Sequence, residues 1–136
     1  MFTHHTKIRV RYGETDQMGF VYYGNYALYY EVGRVEALRA LGLTYRELEA
    51  EGIIMPVVRM EAKYIQPAKY DDLIEIKSVI KEMPQRFITF HVTIENEARN
   101  VLHRAKVTLC FRDVNKGKAI STPHAIIHCL KPYFEN

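Results

Sequence analysis

Hydrophobic and polar residues alternate along several stretches of the chain, a pattern with a period of two that is typical of half-buried β-strands. The first predicted strand covers residues 7–12, where every second side chain is basic. Four more strands are predicted in the second half of the chain, at residues 57–65, 73–81, 86–95 and 101–111. The turns between these four are short, so neighbouring strands are expected to be antiparallel.

One long segment, residues 26–41, is predicted to be a helix because it contains no proline. It is followed by Gly42, and glycine readily adopts the left-handed backbone conformation that terminates many helices. Asn25 is expected to cap its first turn. Apolar residues surround the first half of this helix on nearly all sides, so it needs cover on more than one face. A curved antiparallel sheet around the helix would provide that cover. The predicted fold class is therefore α+β, with residues 1–136 as a single domain. Two short helices are also predicted, at residues 45–51 and 123–130.

Composition excludes several functional classes. The formal charge is +3, with 19 basic and 16 acidic residues interspersed, which does not indicate a nucleic-acid binder but leaves room for a local basic patch that meets a phosphorylated ligand. No apolar run reaches the ~18 residues that a membrane span needs, and no apolar leader segment is evident at the N-terminus. Cys110 and Cys129 lack metal-ligand spacing and are interpreted as reduced thiols. A cytoplasmic protein is expected.

The stretch from Tyr12 to Arg34 carries the candidate chemistry. Asp16 lies in a glycine-rich loop just before the long helix. The start of a helix presents unpaired N–H groups and a partial positive charge, which can bind an anion or polarise a carbonyl. An acid a few residues upstream can act at the same place as a base or a nucleophile. On the residues alone, an aspartate in such a loop is more often a turn former than a catalyst, so both readings stay open.

This stretch resembles the signature of the 4-hydroxybenzoyl-CoA thioesterase family. The matching positions are Tyr12, Thr15, Asp16, Gly19, Val21, Tyr22, Tyr26, Glu31 and Arg34. A second match is YIQPAKYDD, Tyr64 to Asp72, which is similar to a family turn between the first two strands after the helices. Together with the order of elements, the resemblance covers nearly the whole chain.

The resemblance implies a hot-dog fold, in which an antiparallel sheet wraps around one long central helix. It implies that Asp16 is the catalytic carboxylate and that the backbone N–H of Tyr23 polarises the thioester carbonyl, with Tyr22 and Gly24 in contact with the substrate. Subunits of the family pair through their sheets, so a homodimer or a dimer-of-dimers homotetramer with active sites at the subunit interface is expected. No metal or organic cofactor is expected.

The predicted function is hydrolysis of a short-chain or aromatic acyl-CoA to the free acid and CoA. Arg86, by loose alignment with a CoA-contacting segment of the family, and Lys63 are expected to bind the phosphates of CoA. Many relatives carry a histidine where this chain has Phe20 or Tyr23, so the acyl preference is not readable. A carrier-protein thioesterase and a non-catalytic acyl-CoA or lipid-binding module are the alternatives. A dehydratase is disfavoured because residues 6–90 contain no histidine.

Overall fold

The protein folds as a curled antiparallel sheet with one long helix on its inner side, in a computed structural model that describes residues 1–135. The helices are α1 (Tyr26–Ala40), α2 (Tyr45–Ala50) and α3 (His124–Leu130). The strands are β1 (Phe2–Arg9), β2 (Ile53–Ile54), β3 (Val57–Tyr64), β4 (Leu73–Ile80), β5 (Phe87–Glu95), β6 (Val101–Asp113) and β7 (Lys118–Ile120). The predicted α+β arrangement is confirmed.

The main sheet has the strand order β1-β4-β5-β6-β3, and every pairing is antiparallel. The short strands β2 and β7 pair with the far end of β6. This order leaves β1 and β3 as the two edge strands among the described residues. The register fixes which side chains share a face, and the inner face carries the apolar set that the alternation in the sequence predicts.

The helix α1 packs against the inner face along β1 and β4. Its buried residues lie on several sides of the helix, in agreement with the nearly all-round apolar pattern. The approach to β4 is close at Gly33, where an added Cβ would lie 2.7 Å from Oγ of Ser78 and 2.8 Å from a methyl group of Ile76. Glycine at this position therefore sets the distance between the helix and the sheet.

A cluster of aromatic rings around His103 fills the space between β6, α1 and the end of β3. His103 is completely buried, stacks on Tyr26 at 4.2 Å between ring centroids, and forms a short hydrogen bond with the hydroxyl of Tyr30. Tyr64 meets the same imidazole edge-to-face at 4.7 Å. Burial lowers the pKa of His103 to about 4, so the ring is neutral at pH 7.

Two local predictions need correction. The first strand was predicted at residues 7–12 but spans Phe2–Arg9, because polar residues on its inner face hide the early part of the pattern and a 3₁₀ turn occupies Tyr12–Glu14. Asn25 does precede α1, but its side chain does not cap the helix. The Asn25 amide donates instead to the carbonyl oxygen of Glu14, at 2.9 Å.

The edge strand β3 is exposed along its whole length on both faces. Its inward side includes Met60, which is 51% exposed, and Tyr64, which is 54% exposed. The inward face of β3, which the sequence alternation predicts to be buried, is therefore not covered by other parts of the same chain. The helix α1 also exposes Leu28 and Val32. Among residues 1–135 no helix has the length and apolar character needed to cross a membrane.

We expect the stability of the fold to fall as the pH drops from about 6.5 to about 4. The unfolded chain binds a proton on His103 in this window while the folded chain does not, so the free energy of unfolding rises with pH here, by on the order of 2–3 kcal/mol in all. Urea titrations at several pH values should show a shallower pH dependence for His103→Gln than for the wild type. His124→Gln, at an exposed site on α3, is the control. Equal slopes for all three proteins would contradict the assignment.

Candidate active site

The loop between β1 and α1 forms a small hairpin that presents Asp16 at its tip. Thr15 and Val21 pair as an isolated antiparallel bridge, and the N–H of Asp16 donates to the carbonyl of Phe20 at 2.8 Å. The turn closes through Gly19, whose N–H donates to the carbonyl of Asp16 at 3.0 Å and whose φ of +79° favours glycine. The predicted loop is thus a defined turn rather than an irregular coil.

The Asp16 carboxylate is exposed and held through one of its two oxygens. Its Oδ1 accepts from the N–H groups of Met18 and Phe20, at 2.9 and 3.3 Å. Within residues 1–135, Oδ2 has no hydrogen-bond partner. The carboxylate therefore has a fixed orientation and one oxygen available to a water molecule or a substrate.

The start of α1 is the second part of the candidate site. A 3₁₀ turn at Tyr23–Asn25 runs directly into the helix, and no side chain caps it. The N–H groups of Tyr23 and Gly24 are the first two of this continuous helical segment and have no acceptor within it. Both residues are exposed. The Tyr22 ring lies 4.6 Å from that of Tyr23, and an added Cβ on Gly24 would meet it at 2.9 Å.

Glu14 connects the hairpin to the helix, and sequence reasoning missed it. Its carboxylate accepts from the N–H of Arg11 at 2.8 Å and from the hydroxyl of Tyr29 at 3.0 Å. Its carbonyl accepts from the N–H of Tyr22 and the side chain of Asn25. Burial by itself raises the pKa of the Glu14 carboxyl, but these donors and the Arg11 guanidinium outweigh it, so the pKa is lowered.

The segment Tyr64–Tyr70, which carries most of the second motif, runs alongside the hairpin. The N–H of Val21 donates to the carbonyl of Ala68 at 2.8 Å, and Phe20 bridges Lys69. The hydroxyl of Tyr64 donates to the carbonyl oxygen of Tyr23 at 3.1 Å. The two motifs found in the sequence are therefore one structural unit.

The predicted phosphate ligands do not join this unit within one chain. Lys63 is adjacent to Tyr64 but points to the outer face, where it lies directly opposite Arg104. Arg86 precedes β5 at the level of Cys110, whereas Tyr64 pairs with His103. Seven residues of β6 separate these levels, on the order of 20 Å. Asp16 and Tyr22–Gly24 thus belong to one continuous stretch, the hairpin and the start of the helical segment that follows it, whereas Arg86 lies at the other end of the sheet.

The assembled groups suit attack on an activated carbonyl. Two unpaired N–H groups at a helix start can stabilise a developing oxyanion, and a carboxylate with one free oxygen can activate water or attack directly. No set of three His, Cys, Asp or Glu side chains that could hold a metal ion occurs within residues 1–135. Glu31 and Arg34, the last two positions of the first motif, form no ion pair among these residues; buried Arg34 donates to the hydroxyl of Tyr45.

Comparisons with known proteins identify the family of this chain. The family model described as the Thioesterase-like superfamily matches residues 10–130. The acyl-CoA thioester hydrolase YbgC of Escherichia coli O6:H1 is 33% identical over 120 residues, which cover 88% of this chain and 90% of that protein.

Solved structures of thioesterases share the fold. The DHNA-CoA thioesterase of Staphylococcus aureus has a TM-score of 0.85 and 29% identity, over 98% of this chain and 85% of that one. A mutant 4-hydroxybenzoyl-CoA thioesterase in complex with 4-hydroxybenzoyl-CoA has a TM-score of 0.84, over 95% of this chain and 99% of that one. At 23% identity it shows the fold alone. The hot-dog architecture implied by the sequence resemblance is confirmed, and the chain belongs to the Thioesterase-like superfamily.

Proposed function

We propose that this protein is an acyl-CoA thioesterase that uses Asp16 and the N–H end of α1 to hydrolyse the thioester. The proposal is supported by one short segment of chain that presents an oriented, exposed carboxylate and then leads directly into a helix start with two unpaired backbone donors. The relatives named as acyl-CoA thioester hydrolase and DHNA-CoA thioesterase support hydrolysis of a CoA thioester. Their different acyl groups leave the acyl group of this substrate open, as the sequence did.

In the proposed reaction the thioester carbonyl oxygen accepts a hydrogen bond from the N–H of Tyr23. Asp16 either removes a proton from an attacking water or attacks the carbonyl carbon to give a mixed anhydride that water then opens. In both routes a C–O bond forms, the C–S bond breaks, and the thiolate of CoA takes up a proton. Both routes need the free Oδ2 of Asp16, and the arrangement does not favour one of them.

We also propose that two copies pair through β3, which is the basis for the dimer or dimer of dimers predicted from the sequence. A long exposed edge strand with apolar side chains on its inward face is a template for pairing with another strand. The exposed Leu28 and Val32 of α1 are further apolar side chains that a second copy could cover. Burial of the inward face of β3 and of these α1 side chains in the dimer would cover apolar surface that the sheet of the same chain leaves exposed.

This pairing also accounts for the position of Arg86. Two antiparallel β3 strands place the Val57 end of one copy beside the Tyr64 end of the other. Val57 pairs with Leu109 and Phe87 with Cys110, so the Val57 end of β3 is level with the start of β5. Arg86 of a second copy would then approach the site of the first, and the proposed phosphate contact crosses the interface.

The outer face of the sheet offers further positive charge to the phosphates of CoA. Lys63 lies opposite Arg104, and cross-strand pairs of like charge are unfavourable unless an anion offsets them. Neither residue forms an ion pair with a carboxylate within residues 1–135. We propose that Lys63 and Arg86 bind the nucleotide phosphates. The cytoplasmic location stays a prediction from the sequence.

Asp16→Asn should lower kcat for acyl-CoA hydrolysis by about two to four orders of magnitude, the usual contribution of a general base. Asparagine keeps an oxygen that can accept from Met18 and Phe20, so the hairpin should persist. Release of free CoA from a panel of acyl-CoAs, followed with a thiol reagent, gives the rate. Asp71→Asn, in a neighbouring exposed turn, is the matched control. Unchanged turnover in Asp16→Asn would rule out its proposed role, and binding without turnover in the wild type would favour a non-catalytic module.

Lys63→Gln and Arg86→Gln should each raise KM for acyl-CoA several-fold and leave kcat unchanged, because they remove charge that contacts only the nucleotide. The same variants should not alter KM for an acyl-pantetheine, which lacks those phosphates. Lys7→Gln, on the opposite edge strand β1 and at the end of the sheet away from Arg86, serves as the control. An equal effect on both substrates would exclude the phosphate contact.

Met60→Lys should shift the protein from dimer towards monomer, because it places a charge on the inward face of the exposed edge strand. Sedimentation velocity across a range of concentrations measures the change. Val114→Lys, which is equally exposed but lies in the turn between β6 and β7, should leave the assembly intact. A wild-type protein that is monomeric at all concentrations would contradict pairing through β3.

A further inference from the structure

The last residue of β3 is hydrogen-bonded to the start of the central helix. The hydroxyl of Tyr64 donates to the carbonyl oxygen of Tyr23, at 3.1 Å. The sequence singles out Tyr64 only as the first residue of the second motif, and the proposed reaction assigns it no role. Its contact is to the backbone of the residue that supplies the proposed carbonyl donor.

A hydrogen bond to a carbonyl oxygen also fixes the N–H on the other side of the same peptide bond. The peptide group is planar and trans, so the oxygen of Tyr23 and the N–H of Gly24 point in opposite directions and turn together. Tyr64 therefore holds the Gly24 N–H from behind. The preceding peptide is held similarly, because the carbonyl of Tyr22 accepts from the N–H of Asn25 at 2.8 Å, which sets the direction of the Tyr23 N–H.

The Tyr64 ring has rigid support. It packs edge-to-face on His103 at 4.7 Å with an interplanar angle of 77°, and on Tyr26 at 5.4 Å with an angle of 86°. His103 and Tyr26 are both buried, and Tyr26 in turn accepts from the N–H of Ala68 at 3.3 Å. A hydroxyl on such a support loses little freedom when it binds, so it can hold a peptide group in one orientation.

Gly24 also leaves its own N–H approachable. An added Cβ on Gly24 would come within 2.9 Å of the Tyr22 ring, so a side chain here would push that ring out of place. Gly24 is exposed, and its N–H is the second of the two that have no acceptor within the helix. Two adjacent N–H groups, each with its peptide plane held from the opposite side, form a pair of donors for one oxygen atom.

We infer that Tyr64 is a positioning residue that orients the N–H of Gly24 as a second donor to the thioester oxygen, beside the N–H of Tyr23. This inference rests on the proposed thioesterase function. Tyr64 does not itself touch the reacting atoms. It acts through the Tyr23–Gly24 peptide, and it links the edge strand of the sheet to the site.

The kinetic test compares Tyr64→Phe with the wild type on the acyl-CoA that the wild type hydrolyses fastest. Phenylalanine keeps the ring packing on His103 and removes only the hydroxyl. We expect kcat to fall about 10- to 100-fold, which is less than the ~10²–10³-fold loss on removing an oxyanion donor altogether. KM should stay within about twofold, since the donor acts on the transition state.

Tyr133→Phe is the matched control for the loss of a tyrosine hydroxyl. Tyr133 is also about half exposed and packs edge-to-face, on Phe2, at a place remote from the hairpin. Its turnover should equal that of the wild type. Melting temperatures of all three proteins should agree closely, which separates positioning from a general loss of structure.

A second measurement does not depend on turnover. In ¹⁵N–¹H spectra, the Gly24 amide should shift and exchange faster with solvent in Tyr64→Phe, and remain unchanged in Tyr133→Phe. An unchanged Gly24 amide, or a rise in KM that accounts for the whole loss of kcat/KM, would overturn the inference. If the wild type and Asp16→Asn behave as proposed and Tyr64→Phe matches the wild type, the inference alone fails. If the wild type hydrolyses no thioester, the proposed function fails even where the Gly24 amide responds.

Discussion

To bind a substrate oxygen, the backbone N–H groups at a helix start must have no partner within the protein and must also be held in one orientation. The proposed active site depends on that constraint. A capping side chain would satisfy the first N–H groups of α1 and close the site. Asn25 stands at the capping position, but its amide donates to the carbonyl of Glu14 instead. Asn25 thus attaches the hairpin to the helix start, while the Tyr23 and Gly24 N–H groups before it lie in a 3₁₀ turn that no side chain caps.

The hairpin that carries Asp16 is held by a partly buried acid, Glu14, in addition to the packing of Val21 in the core. Glu14 accepts from Arg11 and Tyr29 through its carboxylate and from Tyr22 and Asn25 through its carbonyl. Each of these bonds ties the hairpin either to the end of β1 or to the start of α1. The orientation of the proposed catalytic carboxylate relative to the helix therefore depends on a residue that takes no part in the proposed chemistry.

Regular elements were predictable from the sequence because their hydrophobic periods are local. The inner sides of β4, β5 and β6 and the all-round apolar start of α1 follow from alternation and helical period alone. Polar connections were not predictable, since Glu14 and Asn25 sit in a loop whose composition suits a solvated turn, and their partners lie on other elements. The early part of β1 was missed for a related reason: His4 and Thr6 lie on its inner face, so the apolar alternation there is weak.

The edge strand β3 contributes both to the proposed dimer interface and to the proposed active site. Its unpaired side and apolar face form the proposed interface, its last residue Tyr64 holds the start of α1, and the preceding Lys63 faces outward for phosphate. Alternation of side chains places Lys63 on the face opposite to Met60 and Tyr64, so the proposed phosphate contact does not compete for space with the inward face. Pairing of two such strands would restrict the motion of Tyr64 and, through the Tyr23–Gly24 peptide, of the carbonyl donors. A dimer of this kind would therefore complete the substrate pocket and also stiffen the groups that act on the thioester.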